Sequence, residues 1–314
     1  MRRSALAAST AAGLALAMSV TLAPGAGAAP APDSAARLGQ APSPDKVTRP
    51  TRVRGQAGKG GGGSPISYHK GGAVMTDPTG VNVYYIWYGD WSYDAKASPI
   101  LTTLAQNIGG STYFGINTTY YDGAKKYVKN QVTYKGSIGM SDATHGTTLS
   151  DLDIQSIVSD AIKAGLGGGT ADANAVYFVL TAKNVTESSG FVTKYCGWHT
   201  YGSINSTTVK YSFVGDATQQ GLSSCAVQTT TSPNGDPGAD AMASVIAHEL
   251  EEAVTDPQLK AWFDGRGYEN ADKCAWTFGT TYPSNGAQAN VNFGGLDYLI
   301  QRNWSASRQA CGMS

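Results

Sequence analysis

Apolar residues recur at helical spacing in three stretches of this chain and crowd into β-branched and aromatic runs in several others, and the two patterns alternate. Val81-Asn82-Val83-Tyr84-Tyr85-Ile86-Trp87-Tyr88 has strand composition, and its aromatics fit a sheet centre. Ala175-Val176-Tyr177-Phe178-Val179-Leu180-Thr181 has no polar face, as a strand covered on both sides requires. Further strands are expected at 131–136 and 209–214, and a last one over 296–304. A helix is expected near 98–107. Another runs over 151–166, where Ile154, Ile157, Val158, Ala161 and Ile162 share a face and a glycine cluster from Gly165 ends it. The Tyr-rich segment 113–121, Cys196-Gly197-Trp198-His199 and the Gly-rich region around 262–276 read as connections. Strands alternating with helices give an α/β (α+β) fold, a mixed sheet flanked by helices, forming a single globular domain over 65–314.

The third helical stretch carries the chemistry. Asp236-Pro237 supplies a cap and a first-turn proline, Asp256-Pro257 supplies the stop, and a helix of about 18 residues fits between them. His248, Glu249, Glu252 and Asp256 fall within about a quarter of its circumference. Met242, Ile246, Leu250, Ala253 and Val254 lie opposite, and only Ser244 and Glu251 are expected to face solvent. The helix is therefore mostly buried. A histidine and three carboxylates on such a helix are costly unless paired, protonated or bound to a metal, which marks the quadrant as a candidate site.

His248-Glu249-x-x-Glu252 differs by one residue from the His-Glu-x-x-His of zinc peptidases, in which the two histidines bind zinc and the glutamate activates water. The run from His248 to Asp256 resembles the active helix of thermolysin. That resemblance implies a zincin-like site in which His248 and Glu252 bind a divalent metal and Glu249 is the general base. It implies Glu269 as third ligand, from a Glu269-Asn270-Ala271-Asp272 segment placed as in that family but one residue shorter. Asp272 would orient a ligand or replace Glu269, and Asp256 would support the site from outside. His199 is a candidate additional ligand or a hydrogen-bond donor to the transition state. Zinc heads the candidates; the hard donor set also suits manganese or calcium. The plain alternative is a buried His248–Glu252 ion pair beside Lys273 or Arg266, with Asp256 capping the next turn.

Formal charge is zero overall but uneven: residues 29–64 hold six basic and two acidic groups, and the chain from residue 65 holds 15 basic and 21 acidic, a net −6. An acidic body argues against nucleic acid as partner. Arg2-Arg3, an apolar run over 11–23 and Ala26-Gly27-Ala28 form a secretory signal over 1–28, too short in its apolar part to stay in a bilayer. Residues 29–64, rich in Pro, Gly and basic groups, read as a flexible linker or pro-segment. In an exported chain Cys196, Cys225, Cys274 and Cys311 point to two disulfides; sequential pairing closes the shortest loops of three possible connectivities. No Gly-x-Ser-x-Gly elbow occurs, so a serine hydrolase of that type is not supported.

Tyr68-His69 with Gly71-Gly72, Ile86-Trp87-Tyr88-Gly89, Cys196-Gly197-Trp198-His199, Pro233-Asn234-Gly235-Asp236, Val254-Thr255 before Pro257, and Tyr298-Leu299 with Trp304 and Cys311 are together similar to the secreted EXORDIUM, or phosphate-induced protein 1, family. The resemblance covers about 65–314. It implies an exported, wall-associated or growth-related protein and lends nothing to catalysis, which rests on the thermolysin-like helix alone. Two readings follow. The first is a secreted metal-dependent hydrolase acting on an extracellular peptide, protein or cell-wall substrate. The second is a non-catalytic extracellular protein whose acidic cluster holds a structural ion or an ion pair.

Overall fold

The computed structural model describes residues 45–48 and 64–314; the export signal expected over 1–28, and the remainder of 29–63, lie outside the described residues. Five strands make the central sheet: β1 (Val81–Tyr88), β2 (Val132–Met140), β3 (Ala175–Thr181), β4 (Tyr195–Ile204) and β5 (Thr207–Gly215). Their order is β4-β5-β3-β1-β2, parallel except for β4, which is antiparallel to β5. Asp45–Thr48, within the expected leader, adds antiparallel along β4 with Asp45 opposite His199.

Helix α1 (Ala97–Asn107) connects β1 to its neighbour β2, and α2 (Asp151–Lys163) carries the chain back past β1 to β3. Ser150 and Asp153 cap α2 reciprocally, each side chain accepting the other residue's backbone N–H. Helix α3 (Pro237–Thr255) packs against β3, β4, β5 and α1. As the flanking residues predict, Asp236 caps it, accepting from Ala239 N–H at 3.1 Å, and the helix stops at Asp256. β3 is buried along its whole length, the signature of a strand covered on both faces.

Three expectations change. Cys196–His199 is not a loop but the start of β4, which turns through Asn205 and Ser206, both at positive φ, into β5. A two-residue hairpin with two positive φ values matches the sheet twist, and it brings His199 into the sheet. The tail 296–304 is not one strand: Leu296–Tyr298 pairs back on Val291–Phe293 across Gly294-Gly295, and Asn303–Ser305 pairs on Ala310–Gly312. Neither Glu251 nor Ser244 faces solvent; Ser244 is 7% exposed and its hydroxyl accepts the Gln301 N–H at 3.2 Å. The short helical turn Phe114–Thr119 and the strand Leu296–Tyr298 also contact α3, and Glu251 is 0% exposed. Burial pushes its carboxyl well above the usual range.

The disulfides are Cys196–Cys225 and Cys274–Cys311, the sequential pairing. Closing loops of 29 and 37 residues, each contributes about 3–4 kcal/mol on the chain-entropy account.

Near the start of α2, Glu187 is buried and shares the Ser189 hydroxyl with Asp151, at 2.8 and 2.9 Å, and that hydroxyl also meets Tyr195 at 2.7 Å. Burial first, and the Asp151 carboxyl second, push Glu187 up to about 7. The folded state thus holds a proton that the unfolded glutamate releases near its ordinary 4.5, so this contribution to stability is full below that value and declines as pH rises towards 7. Asp236, raised to about 6, acts in the same direction. Urea unfolding of the Glu187→Gln variant is expected to show a flatter decline in stability across this interval than the parent; an unchanged slope would remove Glu187 as its source.

Candidate metal centre

The i, i+4 spacing on α3 sets His248 Nε2 3.0 Å from Glu252 Oε1. His199 arrives from β4. The period of two along that strand turns Trp198 towards Tyr211 and Phe213, and turns Gly197 and His199 towards α3, where a Cβ on Gly197 would meet Val245 and Glu249. His199 Nε2 lies 3.8 Å from Glu252 Oε2 and 3.1 Å from Glu269 Oε2. One carboxylate therefore stands between two imidazoles.

Glu269 and Asp272 come from the loop after α3. Three things fix that loop: the Lys273–Asp264 pair at 3.0 Å, the Cys274–Cys311 bond, and the Asp272 N–H donated to Glu252 Oε1 at 2.9 Å. Asp272 Oδ1 then sits 3.7 Å from His248 Nε2. Two donor triads result, His199–Glu252–Glu269 and His248–Glu252–Asp272, each with its ligand atoms within 4.8 Å of one another and with Glu252 common to both. Side-chain exposure is 0% for both histidines, 2% for Glu252 and Glu269, and 8% for Asp272.

The electrostatics favour a cation. Burial opposes a charged His248, yet Glu252, Asp272 and Glu249 outweigh it and hold the ring's proton affinity well above the ordinary value. The neighbouring cations serve elsewhere: Lys273 pairs with Asp264, and the Arg266 guanidinium lies over the Tyr268 ring at 5.8 Å. Two imidazole nitrogens and three carboxylates make a mixed donor set suited to zinc or manganese.

The structure thus brings together His248, Glu252, Glu269, Asp272 and His199. Glu249 is fully buried beside them, its Oε1 3.3 Å from where a Cβ on Gly197 would stand. Asp256, expected to support the site from outside, lies at the C-terminal end of α3. Its carboxylate accepts the N–H groups of Lys260, Ala261 and Trp262 at 2.6, 2.7 and 3.3 Å, closing the turn after α3. His69, stacked on Phe263 at 3.7 Å, and His145, 3.0 Å from Asp160, belong to other parts of the surface. Sequence reasoning missed the support on the far side of α3, where Asn270 and Asn303 both donate to Asn117 Oδ1, at 3.3 and 3.0 Å. Three asparagines so far apart in the chain share no spacing that could have announced them. Among the described residues no helix is long and apolar enough to cross a membrane.

The family model described as "Phosphate-induced protein 1 conserved region" matches residues 66–313. Protein EXORDIUM-like 5 of Arabidopsis thaliana is 29% identical over 282 residues, covering 78% of this chain and 77% of that protein. Protein EXORDIUM-like 3 of the same plant is 30% identical over 274 residues, covering 76% of this chain and 80% of the relative. No solved structure matches. Neither name speaks of a zinc peptidase, so the likeness of α3 to thermolysin stands on its own residues. With a match that takes in all five strands and the three helices, the chain belongs to the phosphate-induced protein 1, EXORDIUM-like, family.

Proposed function

We propose that this chain is an exported EXORDIUM-type protein whose fold is closed around one divalent ion held by His199, His248, Glu252, Glu269 and Asp272. The observation that carries the reading is the convergence of these five side chains, none more than 8% exposed, while Lys273 and Arg266 are engaged elsewhere. A structural metal site is closed by protein groups, whereas a catalytic one keeps an open position, and the burial here follows the first pattern. The ion would join β4, α3 and the loop from Asp264 to Cys274 across chain segments that no disulfide connects directly. Export is supported by the N-terminal signal pattern and by two disulfides, which persist in oxidising surroundings. Elemental mass spectrometry of the purified protein tests the reading. About one equivalent of a divalent metal is expected, and a metal-free protein whose stability zinc or manganese does not raise would sink it.

One observation favours a hydrolytic second reading. Glu249 follows the ligand His248 as the general base does in the zinc peptidases, and its carboxylate is buried against β4. A divalent ion would supply acidity to a water molecule. Glu249 would then take the proton, His199 would stabilise developing charge, and substrate would have to enter on the Asp272 side. The two readings part on the Glu249→Gln variant. Under the structural reading it binds metal as the parent does, and neither protein cleaves a peptide library. Cleavage by the parent, lost by a factor of about 100 or more in the variant, would replace the structural reading with the hydrolytic one.

A further inference from the structure

Away from the metal centre, one concavity reverses the charge of its surroundings. The body is acidic, yet Lys125, Lys126, Lys129 and Lys210 line a cleft of about 800 Å³ in which Asp77 is the single acidic lining residue. Lys210, on β5, is only 7% exposed. Its ammonium donates to the Ala173 carbonyl and makes no ion pair among the described residues. With three N–H groups and one carbonyl partner, it keeps donors for something that enters the cleft. Burial pulls its pKa down to about 8, and the nearby Asp172 carboxylate offsets that only in part.

A second concavity, about 510 Å³, adjoins the first and is lined by Tyr68, Tyr121, Tyr127 and Trp262. Tyr127 lines both. It is 47% exposed and stands edge-on to Tyr121 at 5.4 Å, while the Lys125 ammonium lies over the Tyr121 face at 3.4 Å. Aromatic faces offer a flat apolar surface with a polar rim, which suits the C–H face of a sugar ring. Ammonium groups suit an oxyanion, and a lysine already over a ring links the two kinds of contact. A simple inorganic anion would leave the rings unused, and a neutral glycan would leave the lysines unused.

We propose that the two concavities form one groove for an acidic polysaccharide, with sugar rings against Tyr127 and Tyr121 and the oxyanions on the lysines. The groove shares no residue with the metal centre, so this proposal stands or falls apart from that one.

Titration calorimetry on the full exported chain tests it with four probes: short oligogalacturonates, sulfated dextran, neutral dextran and inorganic polyphosphate. Binding of either acidic glycan is expected, with an affinity that falls as salt rises, and the order of the two identifies carboxylate or sulfate as the better oxyanion. Neutral dextran should not bind, and polyphosphate should bind more weakly than the better glycan. The exposed Lys126→Glu/Lys129→Glu pair and the separate Tyr127→Ala change are each expected to weaken glycan binding about tenfold or more, at unchanged melting temperature. Three results would each overturn the proposal: no binding of either acidic glycan, equal binding of neutral dextran, or polyphosphate bound as tightly as the glycans with Tyr127→Ala without effect. The last would leave only a general polyanion surface.

Discussion

Replacing Glu252 with alanine is expected to abolish the proposed metal binding and lower stability by about 3–5 kcal/mol, the cost of removing one partner from a buried charged cluster. Glu252 is the residue to choose because both donor triads share it: Oε1 faces His248 at 3.0 Å and accepts the Asp272 N–H at 2.9 Å, and Oε2 faces His199 at 3.8 Å. Its loss leaves two fully buried imidazoles facing each other across a gap and frees the loop that supplies Glu269 and Asp272. Even residues that only orient a ligand cost roughly 10–100-fold in metal affinity, so a shared ligand should cost at least that. At about 2–4 °C per kcal/mol for a domain of this size, the melting temperature should fall by roughly 6–20 °C. Metal content and thermal unfolding of the same samples check both parts. A parent protein whose melting temperature is unmoved by a chelator, together with a variant that melts with the parent, would show that no ion holds this region. Glu252→Gln keeps the volume and one acceptor, and should fall between.

A methyl group on Gly197 is expected to be nearly as damaging although it alters no ligand. A Cβ there would stand 2.5 Å from Val245 Cγ1 and 2.9 Å from the Phe213 carbonyl oxygen. The buried β-branched valine on α3 has little freedom to turn, and the oxygen belongs to the β5 backbone. Helix α3 would have to lift from β4, and overpacking of this kind costs about 1–3 kcal/mol. The same displacement would carry His248 and Glu252 away from His199, so Gly197→Ala should bind metal more weakly in competition with a chelating dye. Gly139→Ala in β2, where an added methyl meets nothing within 4 Å, is the control and should be nearly silent. If both variants match the parent in stability and metal affinity, the close approach of β4 and α3 is not what positions the centre.

What could be read from the sequence was what local rules decide. Asp236-Pro237 and Asp256-Pro257 fixed the ends of α3 because capping and proline stereochemistry act within one turn, and the unbroken apolar run of β3 admits no exposed face. The i, i+4 pair His248–Glu252 was legible for the same reason. β4 was not: Cys196, Gly197 and Gly202 interrupt its strand signal, and what makes it a strand is its hairpin with β5. Glu251 was misplaced because periodicity tells which residues share a face of a helix but not how many layers cover it. Tertiary contacts made by the turn at Phe114–Thr119 and by the strand Leu296–Tyr298 decide that, and those segments are distant in the chain. His199, too, was a candidate only because a zincin-like layout brings loops over its active helix, until the sheet placed it 3.1 Å from Glu269.

The donors come from three separated places in the chain: His199 on a strand, His248 and Glu252 on a helix, Glu269 and Asp272 on a later loop, all nearly out of reach of solvent. Contacts between distant segments form late, because each must first overcome the entropy of closing a long loop. They also come apart only when the packing around them does. An ion held there would have no small local opening by which to leave, and its exchange with an isotope in solution would run at the pace of global unfolding, on the scale of hours to days for a slowly unfolding domain. The centre would then act as a clock for the kinetic lifetime of the folded protein, readable without denaturant.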